Sequence, residues 1–349
     1  MRKRRRRIRS IQSSNKEIQT NKNRNKKSQK MTQIPHMLSP HTLILMEGQI
    51  LAEKETKYQA IVIMQTPNFG KILMIEGVVQ FSEKDEAIYH EALAHPIMSM
   101  HENPKKVLIV GGGDGGILRE VLKHPIKSAT LVDIDEELIK LTRKHIPIAE
   151  KAFKDPRTKI IIEDGKKFVL NTKEKFDIII LDLGDPEGPS VQLFTKDFYE
   201  QVKKILEKKG IIVTQVDSLT LQPQVSGSSM TALKQVFKET YLYNAFIQSF
   251  FTINGFCIAS DQKLKTKDIT KNLKQRKIKL KAHTAEQIQD LLKTNAYTKS
   301  ILEKKWKAST EKNPVQVLEE TSATNRIKEA LSFLKKHGAY FRPSAHQKN

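Results

Sequence analysis

Five aspartates, Asp114, Asp133, Asp164, Asp182 and Asp185, stand at or just past the ends of successive short apolar runs. Ligands of open α/β sheets bind outside the carboxyl ends of the strands, so these carboxylates are expected on one rim. Crowded and unpaired, they would repel one another and some would keep their protons towards neutral pH. A polycationic ligand or a divalent metal would relieve that cost. No histidine joins the set at metal-ligand spacing, which favours the cation. The chain as a whole carries a formal charge of +22, so an acidic rim stands out against its background.

The loop Gly111-Gly112-Gly113-Asp114-Gly115-Gly116 follows one apolar run and precedes a helical stretch containing Leu118, Val121 and Leu122. It fits G-x-G-x-x-G in the setting that gives the pattern meaning. Glycines let backbone approach a ligand, and the helix N-terminus offers free N–H groups. Asp133 lies 20 residues after Gly113, where a carboxylate can take both hydroxyls of a ribose. A nucleoside site is expected. The loop alone does not separate a dinucleotide from S-adenosylmethionine or its derivatives. Asp114 would repel a methionine carboxylate or a pyrophosphate and suits a ligand that ends in an ammonium. Equally, an Asp here can cap the following helix. Both readings stand on local grounds.

The elements that must hold these residues fall into two patterns. Between residues 42 and 82, short β-branched runs (Tyr58 to Met64, Lys71 to Ile75, Val78 to Phe81) are separated by turn signals at Asn68-Phe69-Gly70 and Glu76-Gly77. They predict a small antiparallel β-domain. A helix is expected from about Glu83 to Met100. Continuous apolar runs then alternate with helical stretches: Lys106 to Val110, Ala129 to Ile134, Lys159 to Ile162, Phe176 to Leu181 and Gly210 to Thr214. Strands buried under helices on both faces read this way. The expected fold class is α/β, a doubly wound Rossmann-like sheet of the class I methyltransferase type. The expected units are a disordered basic tail at 1–35, a β-domain with its linking helix at 36–100, a catalytic domain at 101–262 and a helical extension at 263–349. Helices are expected near 284–307 and 323–337.

Composition excludes several alternatives. With 349 residues, 38% hydrophobic and 29% charged, the chain is of ordinary globular type. Cys257 is the single cysteine, which rules out an intramolecular disulfide and a cysteine metal cluster and suits a reducing cytoplasm. No apolar stretch approaches the ~20 residues of a membrane span. Residues 1–30 hold 13 Lys or Arg against one acid, Glu17, and so contain more than half of the charge excess. With few large apolar side chains, that segment cannot offset its ordering entropy. It is expected to be a solvated tail rather than a nucleic-acid contact, with Met31 or Met37 as alternative starts.

The motifs also resemble a known family. The segment Glu76 to Glu91, the pair Tyr58-Gln59, the GGGDGG loop continued by Leu118 to His124, and Asp182 to Pro189 with Leu193-Phe194 are similar to spermidine synthases, in the same order and over roughly residues 45–260. The resemblance implies a polyamine aminopropyltransferase, moving an aminopropyl group from decarboxylated S-adenosylmethionine to an amine. It implies nucleoside contacts from Gln59, Asp133, Asp164, Gly165 and Pro189. It further implies that Asp114 holds the aminopropyl ammonium, that His90, Tyr89 and Gln80 serve the polyamine channel, that Asp182 is the general base, with Tyr89 assisting it, and that Asp185 anchors the acceptor. No permanently bound cofactor and no metal are implied. The expected partners are polyamine and nucleoside substrates and further copies of the chain, in a dimer or tetramer.

This chain departs from the commonest pattern at several positions. Leu183 and Gly184 replace small hydroxyl residues, the ribose acid is Asp133 rather than Glu, and Gln248 to Gly255 lacks the usual Tyr-Pro-Ser-Gly segment. Phe250 and Phe251 are expected to bring apolar bulk there. The segment His337 to Arg342 is more similar to thermospermine synthases and archaeal relatives. The acceptor stays open between putrescine and longer amines. The rival readings are an S-adenosylmethionine-dependent methyltransferase, a nicotinamide enzyme, and an RNA-binding protein using the tail.

Overall fold

The structure is a computed structural model and describes residues 31–39, 42–293 and 295–315. The tail at 1–30, the helix expected at 323–337 and the segment 337–342 lie outside the described residues.

Strands β1 (Thr32–Ser39), β2 (Thr42–Glu55), β3 (Ala60–Thr66), β4 (Gly70–Ile75) and β5 (Val78–Ser82) form an antiparallel sheet in sequence order. The first begins inside the stretch expected to be tail, because Thr32 to Ser39 pairs with β2 from Gly48 back to Thr42. Glu76 and Gly77 join β4 to β5 with φ of 49° and 77°. A two-residue hairpin with both central residues at positive φ follows the strand twist, and Gly meets that demand without strain.

Helix α1 (Glu86–Met100) leads into the second sheet and is buried at 14 of its 15 residues. A helix buried all round must pair its polar side chains, and Glu86, His90, Glu91 and His95 each have hydrogen-bond partners. Pro96 removes one N–H from it. The carbonyl of Ala92, which that N–H would have met, instead accepts the Tyr243 hydroxyl at 2.8 Å.

The second sheet has the order β11-β12-β10-β9-β6-β7-β8. Its strands are β6 (Lys106–Gly111), β7 (Ser128–Asp133), β8 (Thr158–Ile162), β9 (Phe176–Asp182), β10 (Leu206–Ser218), β11 (Glu239–Ile247) and β12 (Thr252–Ser260). The five from β8 to β10 run parallel, and β12 and β11 add antiparallel strands at one end. Strand order reverses at β6, which makes its carboxyl end the switch point where a Rossmann-like sheet opens. Alternate residues of β6 enter opposite cores, Val107 and Ile109 one, Leu108 and Val110 the other. Helices α2 (Gly116–Leu122), α3 (Glu136–His145), α4 (Gly165–Asn171), α5 (Lys196–Lys204) and α6 (Pro223–Val236) connect the strands.

Beyond β12 come α7 (Ile269–Gln275), α8 (Ala285–Asp290) and α9 (Ala296–Glu303). The helix expected over 284–307 is thus two. Thr284 opens α8 with a reciprocal capping box, and Asn295 caps α9 anew by accepting the Thr298 N–H at 2.8 Å.

Candidate active site

The carboxyl ends of β6 to β10 open into a cavity of about 470 Å³ closed on the other side by the five-stranded sheet. All five rim aspartates line it. So do Gln59, Gln80, Tyr89, Gly165 and Pro189. Among the described residues, no lysine or arginine lines it, although the chain has 61 of them. A cavity stripped of cations in a basic protein is built for a cation.

The glycine loop fixes the first two carboxylates. Gly111 has φ of 81°, and a Cβ there would lie 2.1 Å from the Asp182 carbonyl oxygen. The same carbonyl accepts the Gly112 N–H at 3.0 Å. Close approach of the two strand ends therefore sets Asp114 beside Asp182. Asp114 accepts the Gly116 N–H at 2.6 Å, so it does tie the start of α2, as local reading allowed. It also lines the cavity, so the capping contact and a ligand contact are compatible.

Asp133 ends β7 and accepts the Asp135 N–H at 2.9 Å. Burial raises its pKa to about 6; the backbone N–H groups of Asp135 and Gly113 oppose this, while the like charges of Asp135 and Asp114 add to it. Asp135 caps α3 through the N–H groups of Glu137 and Leu138. Its other oxygen accepts Thr56 Oγ1 at 2.8 Å and Gln59 Nε2 at 3.0 Å. This residue, missed in the sequence, thereby ties Gln59, just before β3, to the start of α3 beside the cavity. Its signal was an acid directly before Glu136-Glu137, at the start of a helix. Asp164 caps α4 by accepting the Lys167 N–H at 3.0 Å.

Asp182 closes β9 and accepts a hydrogen bond from Tyr89 Oη at 2.7 Å. Burial raises its pKa and the charge of Asp114 adds to this, while His90 and the Tyr89 bond oppose, leaving it at about 7. Burial, then the nearby Asp182, holds the Tyr89 hydroxyl well above its ordinary range, so it stays a donor. Its ring packs against Phe250 and Phe256 at 5.7 and 5.5 Å between centroids. Burial alone raises Asp185, to about 6.

His90 stands one layer behind the cavity rather than in its lining. One ring nitrogen meets Glu86 at 2.8 Å and the other lies 3.5 Å from Asp114. Burial disfavours its charge, but Asp114 and Glu86 outweigh that and raise its pKa to about 10. Glu86 in turn is held at about 2 against burial by His90 and Arg119. Any effect of His90 on a ligand passes through Asp114.

Phe250 lines the cavity, whereas Phe251 does not. At φ of 54° its backbone turns the ring away, towards Phe69 and His36 at 5.8 and 6.2 Å, and leaves it 41% exposed. Two further polar residues went unforeseen because the expected strand stopped at Thr214. Gln215 donates to the carbonyl of Leu183 at 2.9 Å and to that of Gly184 at 3.3 Å, and Asp217 follows on the cavity wall. Among the described residues, Glu91, His95 and Glu120 have ligand atoms close enough to share a metal, but none lines the cavity. Glu91 accepts from the backbone of residues 281–283, and Glu120 pairs with His95, Arg119 and Lys123.

Several carboxylates facing one cavity can bind a ligand charged at more than one point, and Asp182, poised near neutrality, can take a proton from it.

Residues 86–271 match the spermine/spermidine synthase domain, and residues 48–83 match the spermidine synthase tetramerisation domain. A polyamine aminopropyltransferase of Korarchaeum cryptofilum is 38% identical over 293 residues, covering 82% of this chain and 90% of the relative. One of Sulfurisphaera tokodaii is 38% identical over 294 residues, covering 82% and 96%. A solved spermidine synthase in complex with the transition-state analogue AdoDATO is similar with a TM-score of 0.75 at 30% identity, over 78% of this chain and 94% of that one.

Proposed function

As this chain belongs to the spermine/spermidine synthase family and is an aminopropyltransferase of polyamine biosynthesis, we propose that the acidic cavity holds decarboxylated S-adenosylmethionine beside an amine, with Asp182 as general base. The observation that carries this is the Tyr89–Asp182 hydrogen bond at the mouth of β9, in a cavity without lysine or arginine among the described residues.

On the donor side, Asp133 takes the ribose hydroxyls, and Gln59, Asp164, Gly165 and Pro189 surround the nucleoside. Asp114 pairs with the aminopropyl ammonium, a charge-assisted contact that a carboxylate-bearing donor would lose. The relative's complex with AdoDATO supports a donor of this kind. It enters as a co-substrate and leaves as methylthioadenosine.

The acceptor is cationic in water and cannot attack until it loses a proton. Asp182, kept ionisable near neutral pH, takes that proton while Tyr89 orients the carboxylate and Asp185 holds another ammonium. The freed nitrogen lone pair attacks the aminopropyl carbon next to sulfur. The C–N bond forms as the C–S bond breaks, and its electron pair neutralises the sulfonium. The thioether leaves without needing a proton.

Leu183 and Gly184 withhold hydroxyl groups beside the acceptor, and Phe250 adds an apolar wall. Methylene runs suit such walls, so the reading takes a triamine such as spermidine at least as well as putrescine. The match of residues 48–83 to a tetramerisation domain supports a homotetramer. Among the described residues no helix is long and apolar enough to cross a membrane. The reading sets the enzyme in the cytoplasm.

Incubation with decarboxylated S-adenosylmethionine and a panel of di- and triamines, read by product mass, tests this. One aminopropyl unit gained per methylthioadenosine formed is expected. Methyl transfer from S-adenosylmethionine, or a tenfold or larger kcat/KM preference for putrescine, worth about 1.4 kcal/mol, would sink the donor or the acceptor part respectively.

A further inference from the structure

Asp85 stands at the N-cap of α1, in the link from β5 to the second sheet, yet its side chain does not cap the helix. An aspartate in that place ordinarily accepts from the first free N–H groups of its helix. Here a backbone with φ of −127° and ψ of 4° sends it elsewhere. Its Oδ2 accepts the Ser249 N–H at 2.7 Å and its Oδ1 accepts the Ser249 hydroxyl at 2.8 Å, across 164 residues. Both residues are buried, and neither lines the cavity. A buried carboxylate that lost these donors, or a buried N–H that lost this acceptor, would be costly, so the pair acts as a staple. It fastens the chain leaving the small sheet to the turn Gln248–Phe250, in the loop that joins β11 to β12.

The next residue, Phe250, lines the cavity and packs against the cores of both sheets. Phe251 has a left-handed backbone and faces out. Such a backbone is strained for a bulky residue and persists only where its surroundings impose it. Pairing of Ile247 with Thr252 fixes the two ends of the loop, and the staple grips it between them. We propose that Asp85 is a positioning residue of the transfer reaction: by gripping Ser249 it holds the Phe250 ring in the cavity as the wall on which the methylenes of the acceptor lie. This rests on the acceptor lying in the cavity as read above, and the ligand class is a linear aliphatic amine. Asp85 touches no substrate. The Tyr89 ring rests on fully buried Phe256 as well as on Phe250, so its bond to Asp182 does not depend on the staple. Asp85 therefore acts on acceptor binding rather than on the chemical step.

The test is a cycle of Asp85→Ala, Phe250→Ala and the double variant, with Asp85→Asn beside them. At saturating donor, kcat and KM are measured for whichever of putrescine and spermidine the wild type takes better, with methylthioadenosine affinity alongside. Each single alanine variant should raise the amine KM ~10-fold or more, with kcat within about threefold and nucleoside affinity within about twofold of wild type. The double variant should be no worse than the poorer single one, because both remove the same wall. Asp85→Asn should stay within about threefold of wild type, since its amide can accept the Ser249 N–H and donate to the hydroxyl. An unchanged amine KM in Asp85→Ala, losses that add, an equal loss of nucleoside affinity, or failure of Asp85→Asn to rescue would each overturn the assignment. Should Asp85→Ala not fold, Ser249→Ala removes one of the two bonds and should raise the amine KM by ~3-fold or more, again without adding to Phe250→Ala; an unchanged KM there overturns it too. If the wild type aminopropylates neither amine, the reading of the site falls and this inference with it. If the wild type is active and the amine KM does not follow the staple, only the inference falls.

Discussion

Tyr89 donates from its hydroxyl to Oδ1 of Asp182 at 2.7 Å, from a helix that precedes the glycine loop to the end of a strand 93 residues later. That bond stabilises the ionised carboxylate and works against the burial that raises Asp182 to about 7. Asp182 must be ionised to take a proton, so kcat/KM for the acceptor should rise with pH through this region. Tyr89→Phe removes one stabilising donor, and the acid limb of the profile should move up by about half to one pH unit. An unmoved or down-shifted limb would separate Tyr89 from the base.

Asp114→Asn keeps the acceptor for the Gly116 N–H but removes the charge. Decarboxylated S-adenosylmethionine should then bind ~10-fold or more weakly, while methylthioadenosine, which lacks the aminopropyl ammonium, should change by less than about twofold. Calorimetry on both ligands decides. Equal weakening would make Asp114 a cap and nothing more.

Gly116→Ala tests the layer behind the cavity. A Cβ at Gly116 would lie 2.1 to 2.4 Å from the His90 ring. The ring would have to leave Asp114 and Glu86, at a cost of about 1–3 kcal/mol in thermal or denaturant unfolding. On a His90→Ala background there is room for the methyl, so the same substitution should cost much less. Additive costs would show that the clash lies elsewhere.

Much of this was legible in the sequence, for identifiable reasons. Asp133 and Asp182 end apolar runs that form buried parallel strands, and Asp164 follows β8, a half-exposed edge strand, so their meeting on one rim follows from topology. His90 belongs to a motif, but its depth depends on how α1 packs under the loop, which no spacing reveals. Phe251 shares its neighbour's chemistry and not its direction, because its own left-handed backbone turns it off that neighbour's face. Asp217 was hidden for a similar reason. The apolar run Gly210 to Thr214 ends before a bulge between Gln215 and Ser218, and the bulge alone turns Asp217 into the cavity. The helices after β12 carry Lys-rich, weakly periodic sequence, and capping at Thr284 and Asn295 rather than hydrophobic pattern set their limits.

The general base is tested most directly by Asp182→Asn, with turnover and methylthioadenosine affinity measured on the same preparation. Asn can still accept from Tyr89, so the pocket should keep its shape while losing the group that takes the proton. The account predicts a fall in turnover of ~10²-fold or more with nucleoside affinity within about twofold of wild type. Near-normal turnover in that variant would contradict it.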